Sequence, residues 1–185
     1  MVDPDLDADL TRLVSDSRAE DAARQRIRER NLRAAAVTDA TFSGLLVDLA
    51  ERGETVALRT AHGRTLTGRI TLVARDAIAL DSGTGLSYIK LDRITALRRA
   101  PGVRADEPSG DRPPPRTTSL AALLADLAPE RPRVALVLDG EPALAVGELR
   151  AVGVDVLTVR LDGEPPVTAY FAAAQLSELT VLASG

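Results

Sequence analysis

The hexapeptide Leu45-Leu46-Val47-Asp48-Leu49-Ala50 returns as Leu123-Leu124-Ala125-Asp126-Leu127-Ala128, with five of six positions identical. Further matching segments follow in the same order in both copies. They are Val56–Leu58 with Val134–Leu136, His62-Gly63 with Asp139-Gly140, Gly68 with Gly147, Asp76–Ile78 with Asp155–Leu157, and Leu91–Thr95 with Leu176–Thr180. Units of about 60–65 residues are too long for solenoid repeats, so the sequence predicts one structural unit that occurs twice. A single continuous sheet, or halves that do not superpose, would count against this duplication.

Each unit is predicted to begin with a short helix and to continue with strands. In the first unit, the apolar residues from Phe42 to Ala50 have helical spacing, and Gly53 ends the helix. The apolar period then changes to two, which predicts strands at 55–60, 64–74, 76–81, 86–91 and 93–99. Gly68 allows the long second strand to bend, as the closure of a small barrel requires, and Asp92-Arg93 predicts a tight corner.

The predicted fold class is mostly β with α, consisting of two tandem five-stranded small barrels, each preceded by a short helix, and an N-terminal helical extension. The predicted segments are the extension at 1–40, the first barrel at 41–100, a linker at 101–116 and the second barrel at 117–185. Residues 5–36 contain neither Pro nor Gly, which favours one long helix or two short ones there. Pro113-Pro114-Pro115 cannot continue a helix and indicates an extended end to the linker.

Composition narrows the classes of function. Hydrophobic residues make up 45% of the chain but aromatic residues only 2%, so the core must be aliphatic. The absence of cysteine excludes disulfides, thiolate metal sites and cysteine nucleophiles. We see no secretory signal and no apolar run long enough to cross a membrane, so we expect a cytoplasmic protein without membrane contact.

Charge is unevenly distributed between the two predicted barrels. Residues 41–100 hold nine basic and six acidic side chains, a net charge of +3. Residues 117–185 hold four basic and nine acidic side chains, a net charge of -5. This difference is compatible with nucleic-acid contact by the first barrel or with contact between the two barrels.

Three segments of the first unit resemble the Sm-like (LSm, Hfq-like) family of small barrels, although other SH3-like barrels give similar alternation. The segments are Thr55–Thr60, His62–Ile70 and Ser87–Ile94, and the Gly63-Arg64…Gly68 spacing is similar to the family's first hairpin. The resemblance implies assembly by pairing the fourth strand of one barrel with the fifth strand of the next. Either the two barrels of one chain pair with each other, or a homo-oligomer forms, with three chains making a six-barrel ring.

The same resemblance implies RNA binding at the turn between the second and third strands and at the corner before the fifth. In the first of these places the family's usual Asp-x-x-Met-Asn reads Arg75-Asp76-Ala77-Ile78-Ala79, in which Asp76 matches but Met and Asn are absent. At the corner, Lys90 and Arg93 are basic, and the aromatic residue is displaced to Tyr88. The corner that we assign to the second copy, from Ala174 to Glu178, has no positive charge.

The candidate nucleic-acid contacts are the arginines of the N-terminal helix and the basic or aromatic residues of the first barrel. They are Arg24, Arg26, Arg28, Arg30, Arg64, Arg69, Arg75, Tyr88, Lys90, Arg93 and Arg98. The alternative interpretation is ordinary surface charge, which includes ion pairs within the helix and docking to acidic parts of the same chain. We expect the single histidine, His62, to be a solvated turn residue, and we assign no catalytic residue, metal ligand or cofactor.

Two functions remain open. The first is a non-catalytic Sm-like assembly protein that contacts RNA or DNA through the first barrel and the Arg-rich helix. The second is a protein-interaction scaffold with no nucleic-acid role, in which the acidic second barrel and the N-terminal helix recruit a protein partner.

Overall fold

The computed structural model of the chain describes residues 24–32, 38–100, 110, 112, 118–141 and 144–183. The chain divides into two compact units, Met1–Ala40 and Thr41–Gly185. In the first unit, residues 24–32 are helical and exposed, which confirms that part of the helix predicted over 5–36. Residues 5–23 and 33–36 of that prediction, and the predicted linker apart from 110 and 112, lie outside the described residues.

The second unit contains two halves, which we define as residues 41–100 and 117–185. In the first half, helix α1 (Phe42–Glu51) precedes β1 (Thr55–Thr60), β2 (Thr65–Val73), β3 (Ala77–Asp81), β4 (Gly85–Lys90), a 3-10 turn (Leu91–Arg93) and β5 (Ile94–Arg99). In the second half, α2 (Leu120–Leu127) and a 3-10 turn (Ala128–Glu130) precede β6 (Arg133–Leu138), β7 (Ala145–Val152), β8 (Val156–Leu161), β9 (Val167–Ala172), a 3-10 turn (Ala173–Gln175) and β10 (Leu176–Leu182). Each strand predicted for the first half is present, with ends that differ by at most one residue.

All ten strands form one antiparallel sheet in the order β5-β1-β2-β3-β4-β10-β6-β7-β8-β9. The sheet is continuous and open, so the predicted arrangement of two tandem barrels is not confirmed. One of the two outcomes that would count against the duplication is therefore present. However, a single contact, between β4 and β10, makes the sheet continuous. On either side of that contact the strand order is the same, with the fifth strand of each half beside its first strand.

Two hydrophobic clusters support this sheet, one for each half. Leu46 and Leu49 of α1 pack with Val56, Leu58 and other buried residues of β1–β4. Leu120 and Leu124 of α2 pack in the same way on the strands of the second half. Alternate residues of β3 belong to different clusters: Ile78 and Leu80 to the first, Ala77 and Ala79 to the second. Because successive side chains of a strand point to opposite faces, this central part of the sheet is covered on both sides.

The halves also share local irregularities. A Cβ atom on Gly68 would lie 2.3 Å from the carbonyl oxygen of Asp81, and one on Gly147 would lie 2.3 Å from that of Arg160. Two residues after each glycine the pairing register shifts, after Ile70 in β2 and after Leu149 in β7. Both halves therefore have a bulge and a close backbone approach at equivalent places in the second strand, a feature that accompanies strand bending.

One of the predicted matches is wrong in register. The 3-10 turn at Leu91–Arg93 corresponds to the turn at Ala173–Gln175, so the counterpart of Ile94 is Leu176. The sequence comparison had matched Ile94 with Leu179. Leucines at both 176 and 179 allow either alignment, and only the strand boundaries decide between them.

Candidate functional site

The contact between β4 and β10 brings polar and charged side chains of the two halves close to the buried ring of Tyr88. The paired residues include Ile89 with Glu178, Tyr88 with Leu179, and Ser87 with Thr180. Only 7% of Tyr88 is exposed, and it belongs to the hydrophobic cluster of the second half. Burial, together with the nearby Glu130 carboxylate, raises the pKa of the Tyr88 hydroxyl. The Tyr88 side chain therefore packs between the two halves and excludes water from the junction.

Polar contacts between the two halves lie near the buried Tyr88 side chain. We call the residues that make them the junction cluster: His62, Arg64, Lys90, Arg93, Asp139, Ser177 and Glu178. Lys90 Nζ donates hydrogen bonds to the carbonyl oxygens of Ala173 at 3.0 Å and Ala174 at 2.7 Å. The corner of the first half is therefore hydrogen-bonded to the equivalent corner of the second half.

Asp139 is the anionic centre of the junction cluster. It lies in the turn after β6, which is fixed by a hydrogen bond from its own N–H to the carbonyl of Gln175 at 2.8 Å. The Asp139 carboxylate accepts a hydrogen bond from Ser177 Oγ at 2.5 Å, lies 3.1 Å from His62 Nε2, and pairs with Arg93. The Ser177 hydrogen bond, followed by the effects of His62 and Arg93, lowers the pKa of Asp139 despite partial burial. The cluster thus favours the ionised carboxylate.

The grouping of Ser177, His62 and Asp139 invites comparison with a serine-hydrolase triad, but its geometry is different. In a triad, the two imidazole nitrogens face the serine and the carboxylate separately. Here the same nitrogen, His62 Nε2, lies 3.0 Å from Ser177 Oγ and 3.1 Å from Asp139 Oδ1. In addition, Ser177 is only 1% exposed and directs its hydroxyl to the carboxylate. This arrangement suits a structural contact between halves and not a proton relay to a nucleophile.

Glu178 is a nearly fully buried carboxylate, 1% exposed, at the centre of the junction. Its Oε1 lies 3.3 Å from Arg64 of the first half and accepts a hydrogen bond from Thr180 at 3.2 Å. Burial raises the pKa of Glu178, and the Arg64 charge opposes that shift in part. Among the described residues, Glu178 Oε2, Arg93 Nε and Thr60 Oγ1 are buried without a hydrogen-bond partner. The junction is therefore polar and incompletely satisfied.

The turn that the family resemblance assigns to RNA also contacts the second half. Asp76 Oδ1 accepts a hydrogen bond at 2.7 Å from the N–H of Leu120, the first residue of α2. The neighbouring N–H of Arg75 donates to the carbonyl of Thr118 at 2.9 Å. The matching residue Asp76 thus satisfies a free N–H at the start of the second helix, beside the N-cap residue Ser119.

The structure separates the predicted nucleic-acid contacts into two groups. Arg64, Tyr88, Lys90 and Arg93 come together at the junction, where they contact their own chain. The remaining predicted contacts are exposed to solvent: Arg69, Arg75 and Arg98 of the first half, and Arg24, Arg26, Arg28 and Arg30 of the helical residues 24–32.

His62 lies exposed in a turn, as predicted, but the sequence did not indicate that it also contacts Asp139 and Ser177. Sequence reasoning did not single out Asp139, Ser177 or Glu178 as site residues. The sequence feature that could have indicated contacts at these residues was the opposite net charge of the two halves.

No protein-family model matches the chain, and a search of curated proteins finds no match. In the part of the chain that the structure describes, none of the helices has the length and apolar character needed to cross a membrane. Within the same residues, no group of three or more His, Asp or Glu side chains is arranged to hold a metal ion.

Proposed function

We propose that this chain is a non-catalytic assembly protein of the Sm-like type, which joins copies of itself through its sheet edges. The observation that carries the proposal is the β4–β10 pairing, in which the fourth strand of one half binds the fifth strand of the other. A chain built from two such halves has the same two kinds of edge left over, namely β5 of the first half and β9 of the second.

Both of these edges are suited to accept another strand. Strands β5 and β9 end the sheet, so each pairs on one side only. An edge strand presents unpaired N–H and C=O groups that favour the addition of a further strand. On β9, Tyr170 is 72% exposed and Val167 is 59% exposed. Tyr170 is the counterpart of Tyr88, which is buried at the internal junction.

The internal junction predicts the register between copies. Strands β4 and β9 begin 82 positions apart, at Gly85 and Val167, and β5 and β10 begin 82 positions apart, at Ile94 and Leu176. Transferring the β4–β10 register to the free edges places Leu97 of one copy opposite Tyr170 of the next. The same transfer places Arg98 opposite Ala169.

This register gives a charge-sensitive test. Arginine at position 169 would face Arg98 of the next copy, and glutamate would face it with the opposite sign. Like charges in directly opposed strand positions are destabilising, whereas opposite charges are stabilising. We therefore expect Ala169→Arg to weaken association and Ala169→Glu to maintain or strengthen it.

Sedimentation over a series of protein concentrations measures the outcome. The wild-type chain is expected to exceed the 19.5 kDa mass of the monomer as concentration rises. A limiting mass of three chains would correspond to a closed ring of six halves. A clean monomer at micromolar concentration, or an equal effect of both Ala169 variants, would contradict the proposal.

A second candidate function is contact with RNA or DNA. It is favoured by the exposure of Arg69 and Arg98 on one face of the first half, and of the arginines in residues 24–32. A gel-shift titration with short RNA and DNA at two salt concentrations tests it, since phosphate contacts weaken with salt.

The informative variant for this titration is Arg69→Glu with Arg75→Glu, because both are exposed, whereas Arg64 and Arg93 hold the junction and Arg98 lies at the proposed assembly edge. We expect binding that weakens with salt and fails in the double variant. Absence of binding at low salt would remove this candidate and leave the protein-interaction scaffold as the alternative.

A further inference from the structure

A small recess lies on β5, β1 and β2, on the face opposite to the one that carries the buried Val56 and Leu58. It has a volume of about 90 Å³. Its lining residues are Ala57, Arg59, Thr65, Ala96 and Arg98. Arg59 is not among the contacts that the sequence predicted.

Strand register explains why these residues meet. Arg59 of β1 is paired with Thr65 of β2 and with Ala96 of β5. Arg98 is paired with Ala57, two positions before Arg59. Since residues two apart share a face of a strand, both guanidinium groups stand on the same surface. Ala57 and Ala96 have short side chains, so a recess remains beside the two arginines.

The charge of the recess is unbalanced. Some other arginines of the first half are paired: Arg99 bonds to Glu54 at 2.7 Å, and Arg64 lies 3.3 Å from Glu178. For Arg59 and Arg98, the described residues supply no ion pair and no carboxylate in the recess lining. Like charges held on neighbouring strands repel each other unless an anion lies between them.

We propose that this recess binds a phosphate group. Two guanidinium forks supply charge-assisted hydrogen bonds suited to phosphate oxygens, and the Thr65 hydroxyl supplies one more donor. The site goes beyond the proposed assembly, because Arg59 lies on β1 and not on a free edge. It would give the nucleic-acid candidate one of its phosphate contacts, but inorganic phosphate has the same chemistry.

The second half provides an internal comparison. The residues at the equivalent positions are Ala135, Val137, Leu144, Glu178 and Thr180. They include no cation, and Glu178 contributes a buried carboxylate. The phosphate site is therefore specific to the first half.

Amide chemical shifts measured by NMR on the full chain test the proposal. Inorganic phosphate is titrated at constant ionic strength in a chloride buffer, and an RNA oligonucleotide without terminal phosphates is titrated in parallel. We expect saturable shifts at Ala57, Thr65 and Ala96. Arg59→Gln should weaken the binding about fivefold or more, as expected for loss of one charge contact. Arg160→Gln, the same charge change on an exposed arginine of the second half, should leave it unchanged.

The two titrations identify the source of the phosphate. Saturation by inorganic phosphate supports a site for a free phosphate or phosphate monoester, whereas saturation by RNA alone supports a phosphodiester contact. The proposal is overturned if neither ligand gives saturable shifts at these amides, or if the shifts survive in both Arg59→Gln and Arg98→Gln. Because Arg59→Gln does not alter a free edge, its association in sedimentation tests the assembly separately.

Discussion

The junction between β4 and β10 pairs the fourth strand of one half with the fifth strand of the other, whereas β9 and β5, the equivalent fourth and fifth strands, lie at the two ends of the described sheet. At the junction, Tyr88 is buried and Lys90 and Arg93 bind the other half. At the free edge the counterparts are Tyr170, Ala172 and Gln175, so the aromatic residue is kept and both cations are absent. The comparison teaches that the aromatic residue is common to both places, whereas the cations that make ionic contacts occur only at the junction within the chain.

This difference has an energetic meaning. The two halves are joined covalently, so the internal junction forms at the high effective concentration of a linked pair. The junction cluster adds charge-assisted contacts, which fix register more than they add affinity. An edge without such contacts is suited to reversible association. We therefore expect the internal junction to persist under conditions in which copies of the chain separate.

The largest expected effect comes from the two equivalent tyrosines. Tyr88→Ala removes a buried ring from the junction and should lower the free energy of unfolding by about 3 kcal/mol or more. Tyr170→Ala changes an exposed side chain and should alter the stability of the dilute monomer by about 0.5 kcal/mol or less. Urea unfolding followed by circular dichroism measures both, since the chain contains no Trp.

At concentrations at which the wild-type chain associates, Tyr170→Ala should reduce the mass seen in sedimentation. Equal stability losses in the two dilute variants would show that the tyrosines are not in contrasting environments. Unchanged association of Tyr170→Ala would contradict its proposed role at the edge.

Removal of the Asp139 charge at the junction should lower the free energy of unfolding by less than Tyr88→Ala does. Asp139→Asn keeps the shape of the side chain but removes the charge that faces Arg93 and His62. The loss should be about 1 kcal/mol, because the contacts are charge-assisted but partly exposed to solvent. Asp162 forms an exposed ion pair with Arg133 at 2.6 Å, away from the junction, and serves as the matched control. Asp162→Asn should have little measurable effect, and equal losses in the two variants would remove the special role of Asp139.

The pH dependence of stability should separate the two carboxylates of the junction. Glu178 has a raised pKa, so its contribution is complete below the ordinary value of 4.5 and is lost as pH rises through the raised value. Asp139 has a lowered pKa, so its contribution is present above the ordinary value of 3.8 and is lost as pH falls through the lowered value. Glu178→Gln should therefore flatten the decline in stability above pH 4.5, measured by urea unfolding across pH. The exposed Glu164→Gln should keep the wild-type profile, and a Glu178→Gln profile that still declines in the same way would contradict this assignment.

Local structure could be predicted from the sequence because it depends on short-range patterns. The alternation of apolar residues predicted β1 to β5, and Asp92-Arg93 predicted the corner. Both patterns depend only on residues that are close together in the sequence. The continuity of the sheet could not be predicted in this way. It depends on β4 and β10, whose paired residues Tyr88 and Leu179 are far apart in the sequence.

The junction cluster illustrates the same limit for the site. His62 and Ser177 are 115 positions apart, and no local pattern indicates that they meet. The opposite net charges were compatible with contact between the halves, but they could not identify Asp139 and Glu178 among nine acidic residues of the second half. For this reason Arg64 and Arg93 could be selected as cations of interest while their carboxylate partners were missed.

The smallest expected effect comes from transferring one junction contact to a free edge. Lys90 corresponds to Ala172, and its acceptors Ala173 and Ala174 correspond to Leu91 and Asp92 of the next copy. Ala172→Lys should place an ammonium group near those carbonyl oxygens and tighten association by up to about fivefold, the scale of an exposed charge contact. Sedimentation across concentration measures the change, and Ala172→Met controls for side-chain length without charge. Tightening in the lysine variant alone would show that the free edges use the register of β4 and β10. If both variants tighten association equally, the gain is apolar, and the inferred equivalence of the two junctions would lose its support.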